Sequence, residues 1–204
     1  MRRVLSIVLM GAALTALAAG SANALPMTYI FTGTASGTLD GVPFTDLQFT
    51  FTIRADTDTL GHNGLLYFNF EQIEPATIVL AGHPLATVSD PMYVFGGAPA
   101  GAAGFGLLNH GDVFLVGGGA ILPELANYEM DTPVGPVVGP VASWSAGGTL
   151  PTDLGELVLA SFSGTGTFQA VPEPALLPLL AGGLAASFAR RARRRPSERS
   201  SIAA

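Results

Sequence analysis

Thr45-Asp46-Leu47-Gln48-Phe49-Thr50-Phe51-Thr52-Ile53 is the stretch on which the fold turns. Leu47, Phe49, Phe51 and Ile53 take every second position, with Gln48, Thr50 and Thr52 between them. Successive side chains of an extended chain point to opposite faces, so this spacing sorts apolar from polar. A period of two held over residues 45–53 predicts a half-buried β-strand.

Outward from it, the same reading predicts strands at 27–34, 65–70, 76–81, 92–95, 112–116, 142–144, 156–163 and 166–171. Asp40-Gly41 and Asn63-Gly64 are hairpin turn signals. No long stretch of the middle carries a helical period. Many short strands with frequent turns predict an all-β chain, a single antiparallel β-sandwich or jelly-roll-like domain over residues 25–170. Phe31-Thr32-Gly33-Thr34 is echoed by Phe162-Ser163-Gly164-Thr165-Gly166-Thr167, which suggests first and last strands lying side by side. Residues 96–106 are nearly all Gly and Ala, and residues 132–140 are rich in Pro and Gly; both read as loops.

The chain of 204 residues is 12% charged and contains no cysteine. Disulfides, thiolate metal sites, a cysteine nucleophile and a lipoprotein acyl anchor are therefore excluded. Between residues 25 and 170, Arg54 is the only cation, against 13 acids, a net charge of −12. Such a field repels phosphate backbones and anionic membrane surfaces, which argues against nucleic-acid binding.

The two ends read as addresses. Arg2 and Arg3 precede an apolar run over residues 4–19, and Ala22-Asn23-Ala24 has the small-x-small form of a signal-peptidase site. Residues 1–24 are thus expected to form a signal peptide cleaved after Ala24. At the other end, Val171-Pro172-Glu173-Pro174 is followed by 15 uncharged residues, 175–189, and then by Arg190, Arg191, Arg193, Arg194 and Arg195. Fifteen helical residues rise about 22 Å, short of a hydrocarbon core of about 30 Å, so the segment suits transient anchoring. Basic flanks stay cytoplasmic, so these arginines set a topology in which residues 25–170 are exported. Residues 196–204 are expected to be disordered.

The ordered series of Pro-Glu-Pro, short apolar helix and arginine block, over residues 171–195, resembles the PEP-CTERM sorting signal, a tail also known under an ice-binding-protein C-terminal name. The resemblance implies a substrate of exosortase, a transpeptidase-like membrane enzyme of Gram-negative bacteria. It implies recognition at Pro172-Glu173-Pro174, removal of the helix and arginines, and delivery to the cell surface or extracellular space, commonly beside exopolysaccharide and biofilm matrix.

Chemistry in the middle is sparse. His62, His83 and His110 sit in separate turns without metal-ligand spacing. Asp56-Thr57-Asp58 alternates acidic oxygens as calcium prefers, which makes Asp56 and Asp58 weak calcium candidates, without the third ligand or closing glutamate of a full loop. Trp144, Tyr67, Tyr93 and Tyr128 offer a sugar-stacking platform, although a single tryptophan more often belongs to the core. Nothing selects a catalytic carboxylate pair. Irregular Thr-x-Thr pairs reflect β-propensity rather than an ice-binding ladder. The expectation is an exported, non-enzymatic surface or matrix protein without cofactor, whose partners are signal peptidase, an exosortase-type enzyme, the inner membrane in transit and an exopolysaccharide. A carbohydrate-binding module, a carbohydrate-active enzyme and a permanently tethered periplasmic domain are the alternatives.

Overall fold

Phe49, Phe51 and Ile53 are buried while Gln48 and Thr50 are exposed, so the decisive stretch is the two-faced strand its spacing predicts. The structure, a computed structural model, describes residues 26–173 apart from 65, 98–100, 109–110, 118–120 and 143–147. The expected signal peptide, tail helix, arginine block and terminal residues 196–204 lie outside the described residues, as do Trp144 and His110. Among the described residues no helix is long and apolar enough to cross a membrane.

The described residues are all-β apart from one 3-10 turn, and every strand pairing among them is antiparallel. Its strands are β1 (Pro26–Leu39), β2 (Val42–Asp56), β3 (Leu60–His62), β4 (Tyr67–Asn69), β5 (Thr77–Leu80), β6 (Leu85–Thr87), β7 (Met92–Gly97), β8 (Ala102–Leu107), β9 (Gly111–Val116), β10 (Val134–Ala142), β11 (Thr149–Thr152) and β12 (Gly155–Pro172). They follow the order β3-β4-β7-β8-β9-β10-β12-β1-β2-β5-β6, with β11 added on β12. The long strands β12, β1 and β2 form the middle of this path. Asp40 and Gly41, at φ of 50° and 77°, close the β1–β2 hairpin, a turn in which asparagine, aspartate and glycine best tolerate the left-handed backbone.

The core is aromatic. Phe31 of β1 lies 5.0 Å from Phe168 of β12 and 5.2 Å from Phe105 of β8, measured between ring centroids. Phe51 of β2 stacks on Phe105 at 3.9 Å with 9° between planes. β2 and β8 are well separated along the strand path, so the path turns back over itself and buries one face between its two halves. Burial pushes the pKa values of Tyr29 and Tyr128 upward, and both phenols stay neutral donors. Tyr29 donates to Met130 O at 2.8 Å and Tyr128 to Thr132 O at 2.9 Å, which ties down the segment before β10. Asn69, a buried polar side chain, donates to Asp56 O at 2.6 Å and accepts from Thr59 Oγ1 at 2.9 Å.

Several sequence expectations are corrected. Much of the Gly/Ala run at 96–106 forms strand: β7 reaches Gly97 and β8 begins at Ala102. A Cβ on Gly104 would stand 2.3 Å from Phe114 O and 2.5 Å from the Phe95 ring, so the small residues make room for neighbouring groups rather than marking a loop. The Pro/Gly stretch at 132–140 contributes most of β10, with Pro136 in the register shift between Val134 and Val137, where no ladder donor is needed. The separate strands expected at 156–163 and 166–171 are one strand, β12, carrying its irregularity near Gly164. The expected pairing of first and last strands is present: Thr34 faces Ser163 and Thr32 faces Thr167.

Candidate functional site

β12 does not stop at residue 170. Val171 faces Thr28 and Pro172 faces Met27, so the first half of the Val-Pro-Glu-Pro motif is hydrogen-bonded sheet. Glu173 continues this register, donating its backbone N–H to Pro26 O at 2.9 Å. Thr28 faces Arg54 on its other side, which aligns Val171, Thr28 and Arg54 across three adjacent strands. Glu173 follows Val171 by two residues and returns to the same face. The register thereby brings the only cation of residues 25–170 to the motif's glutamate, 119 positions away in sequence.

The contact is a two-point fork. Arg54 Nε and Nη2 donate to Glu173 Oε1 and Oε2, and Arg54 Nη1 pairs with Glu74 Oε1 at 2.7 Å. The Arg54 guanidinium holds the Glu173 carboxyl below the usual carboxylate range, outweighing a desolvation that acts the other way. The hydrogen bonds Arg54 donates to Glu173 and then to Glu74 push its own pKa upward, so it stays protonated. Side-chain exposure is 20% for Glu173 and 49% for Glu74, so the fork is the stronger arm of the triad and the Glu74 arm is an ordinary surface pair. Pro174 and the tail arginines lie outside the described residues.

Glu74 also borders an open depression of about 360 Å³, lined among others by Phe70, Gln72, Ile73, Ser89 and Asp90. Phe70 is 46% exposed. Its ring stacks on Phe68 at 5.4 Å and lies 5.6 Å from Tyr93. Gln72 Nε2 is buried without a hydrogen-bond partner, a costly arrangement. Of the tyrosines expected in a stacking platform, Tyr93 alone is placed at this patch. Tyr67 stacks with His62 at 4.4 Å, and Tyr128 belongs to the core at 5% exposure, which corrects its assignment. Sequence reading missed Phe70 because its alternation with Phe68 resembles a core pattern; it falls just past the end of β4, where the ring turns outward.

Asp56 and Asp58 serve a turn. Asp56 caps the single 3-10 turn at Thr57–Thr59, and its Oδ1 accepts the Asp58 N–H at 3.1 Å. Among the described residues no three His, Asp or Glu side chains gather in a way that could hold a metal. His62 and His83 are exposed, one at the end of β3 and one between β5 and β6, at opposite ends of the strand path. A second shallow cavity of about 420 Å³ lies over Thr32, Thr34, Thr50 and Thr165. Thr32 and Thr167 satisfy one another there through hydroxyls 2.6 Å apart, leaving a polar sheet surface without a charged group.

No family model matches the chain, and no curated protein or solved structure matches it.

The arrangement can do two things chemically. It can withhold a short carboxylate-bearing motif by pairing it, and it can present an exposed aromatic ring beside an open depression. A glycosidase needs two carboxyl groups facing one another across a bound sugar. Glu74, which shares the depression with Asp90, is instead drawn to Arg54.

Proposed function

We propose that this chain is an exported cell-surface or matrix protein, a non-catalytic β-sandwich of the jelly-roll-like kind, sorted by a PEP-CTERM tail. Signal peptidase removes residues 1–24. The short apolar helix holds the protein in the inner membrane, and an exosortase-type enzyme acts at Pro172-Glu173-Pro174. The face-to-face packing of Phe51 and Phe105 across the strand path supports the sandwich. The observation that carries the sorting reading is the adjacency of the two ends: β1 opens at Pro26, just after the Ala24 site, and Glu173 is hydrogen-bonded to that same Pro26. Pro26 and Glu173 thus lie side by side at one end of the β1–β12 pair, as suits a domain whose two ends face one membrane during export.

Intact mass of the full chain, expressed in hosts with and without exosortase and fractionated, tests this reading. The expected product has lost residues 1–24 in both hosts and has lost the apolar helix and arginines only where exosortase is present. A mature protein that keeps its arginines in the inner membrane of both hosts would leave the tethered-domain alternative standing.

A carbohydrate-binding role is favoured as a second reading by Phe70. An exposed ring beside a depression lined by polar side chains such as Ser89 and Asp90 suits the apolar face and hydroxyls of a sugar. The charge of −12 over residues 25–170 repels uronic-acid and sulfated polymers, which leaves neutral or amine-bearing glycans. Migration of the exported protein through gels carrying a neutral polysaccharide should be retarded, and Phe70→Ala should abolish the retardation while leaving the melting temperature within about 2 °C, since the ring is half exposed. Unchanged retardation by the variant rejects this site.

A further inference from the structure

The Arg54 fork has a consequence for the tail. We propose that Arg54 is a latch on the sorting motif, holding Glu173 in the sheet so that the folded domain resists processing until the end of β12 peels away. The inference rests on the sorting reading above and adds its regulation.

An enzyme that cuts beside a short motif must bind it extended, with its backbone groups and side chains free. It breaks one peptide bond; the acyl end passes to water or to an acceptor amine or hydroxyl, and the new amine leaves with the tail. In the folded domain that substrate is already engaged. Val171 and Pro172 are paired with Thr28 and Met27, the Glu173 N–H is held by Pro26 O, and both Glu173 carboxylate oxygens are held by Arg54. The backbone of Val171 and Pro172 that faces β1, the Glu173 N–H and both Glu173 carboxylate oxygens are thus engaged from within, while the Pro172 ring stays exposed. Reaching it requires opening the last residues of β12, and that opening free energy adds to the barrier for cutting.

Placement argues that the latch is specific. Between residues 25 and 173 a single cation stands among 14 acids, any of which it could meet by chance of position. It sits where two sheet registers bring it under the motif's own glutamate, and it makes there the planar two-point contact that arginine forms with carboxylate. Glu74 occupies the remaining Nη1 and fixes the guanidinium from the other side. Lysine could not make that fork.

The test uses the full chain in the exosortase-bearing host, with the rate of tail loss followed by pulse-chase and intact mass. Arg54→Ala should lose the tail about three- to tenfold faster, the range set by a partly exposed bidentate pair. Arg54→Lys should fall between it and wild type, and Glu74→Gln should stay within about twofold of wild type because the Glu173 fork survives. Leu150→Val, a core truncation on β11, controls for general loosening. Amide exchange of the purified unprocessed protein gives an independent readout: the Glu173 N–H should exchange faster in Arg54→Ala, with core amides unchanged. An unchanged or slower tail loss in Arg54→Ala overturns the latch, as does equal acceleration by Leu150→Val or unaltered exchange at Glu173. A tail retained by wild type and every variant, with exchange still accelerated in Arg54→Ala, locates the failure in the sorting reading: the clasp then exists but regulates no exosortase step, which overturns its assignment as a processing latch.

Discussion

Phe31→Ala should be among the most damaging single truncations in this protein, costing about 3–5 kcal/mol. Phe31 is fully buried. It sits on β1 with Phe51 and Phe168 as its in-register neighbours on either side. Its ring meets Phe105 edge-on at 5.2 Å, Phe114 at 6.2 Å and Phe168 at 5.0 Å, so it joins the central strands to β8 and β9 on the facing half. Truncation removes the transfer free energy of the ring and leaves a cavity walled by three other rings held on separate strands, which cannot all move inward. Domains of this size have total stabilities of about 5–15 kcal/mol. The thermal midpoint should therefore drop by roughly 6–20 °C, and denaturant titration should show the same loss. Thr50→Ala, on the exposed face of β2, should stay within about 0.5 kcal/mol. A Phe31→Ala loss below about 1 kcal/mol would show that the two halves of the strand path do not pack through this ring.

Gly37→Ala should be comparably severe for a different reason. A Cβ at position 37 would lie 1.8 Å from the carbonyl oxygen of Val158, a backbone atom of β12. No rotamer change relieves that contact. Either β1 or β12 must move, and the Gly37–Leu159 and Thr38–Val158 pairings beside it must give way. Inserting a methyl group into a packed site typically costs about 1–3 kcal/mol; here the obstacle is main chain shared by the two longest neighbouring strands, so a loss at or above the top of that range is expected. Gly61→Ala is the matched control, since the nearest atom to its Cβ would be Phe68 O at an ordinary 4.0 Å. Soluble yield and melting temperature of the two variants should diverge sharply; equal behaviour would falsify the close approach of β1 to β12.

Those two sites mark different limits of sequence reading. Phe31 belongs to an alternation that is visible locally, and the class of the fold, the two faces of β2, the Asp40-Gly41 turn and the neighbouring placement of first and last strands were all legible from spacing and turn chemistry. Gly37 carries no local sign of its neighbour. Gly104 and its surrounding Gly/Ala run read as a loop because small residues have no amphipathic period, whereas the ring of Phe95 and the backbone of β9 are what require them. β10 was hidden by prolines whose missing donors matter only if a partner strand asks for them. Phe70 and Gln72 were overlooked because exposure at the end of a short strand is decided by what packs beside it.

The sequence by itself determined the β character of this protein, the alternation that assigns its core faces and the strongly acidic stretch over residues 25–170, because each depends on the nature of a residue and of its near neighbours along the chain. The pairing of Arg54 with Glu173, the burial of Tyr128, the service of Asp56 as a turn cap and the sheet role of the glycine-rich strand were decided only by tertiary structure. Each depends on which segment lies across the sheet or across the core. That is a matter of register and packing, in which residues more than a hundred positions apart become nearest neighbours.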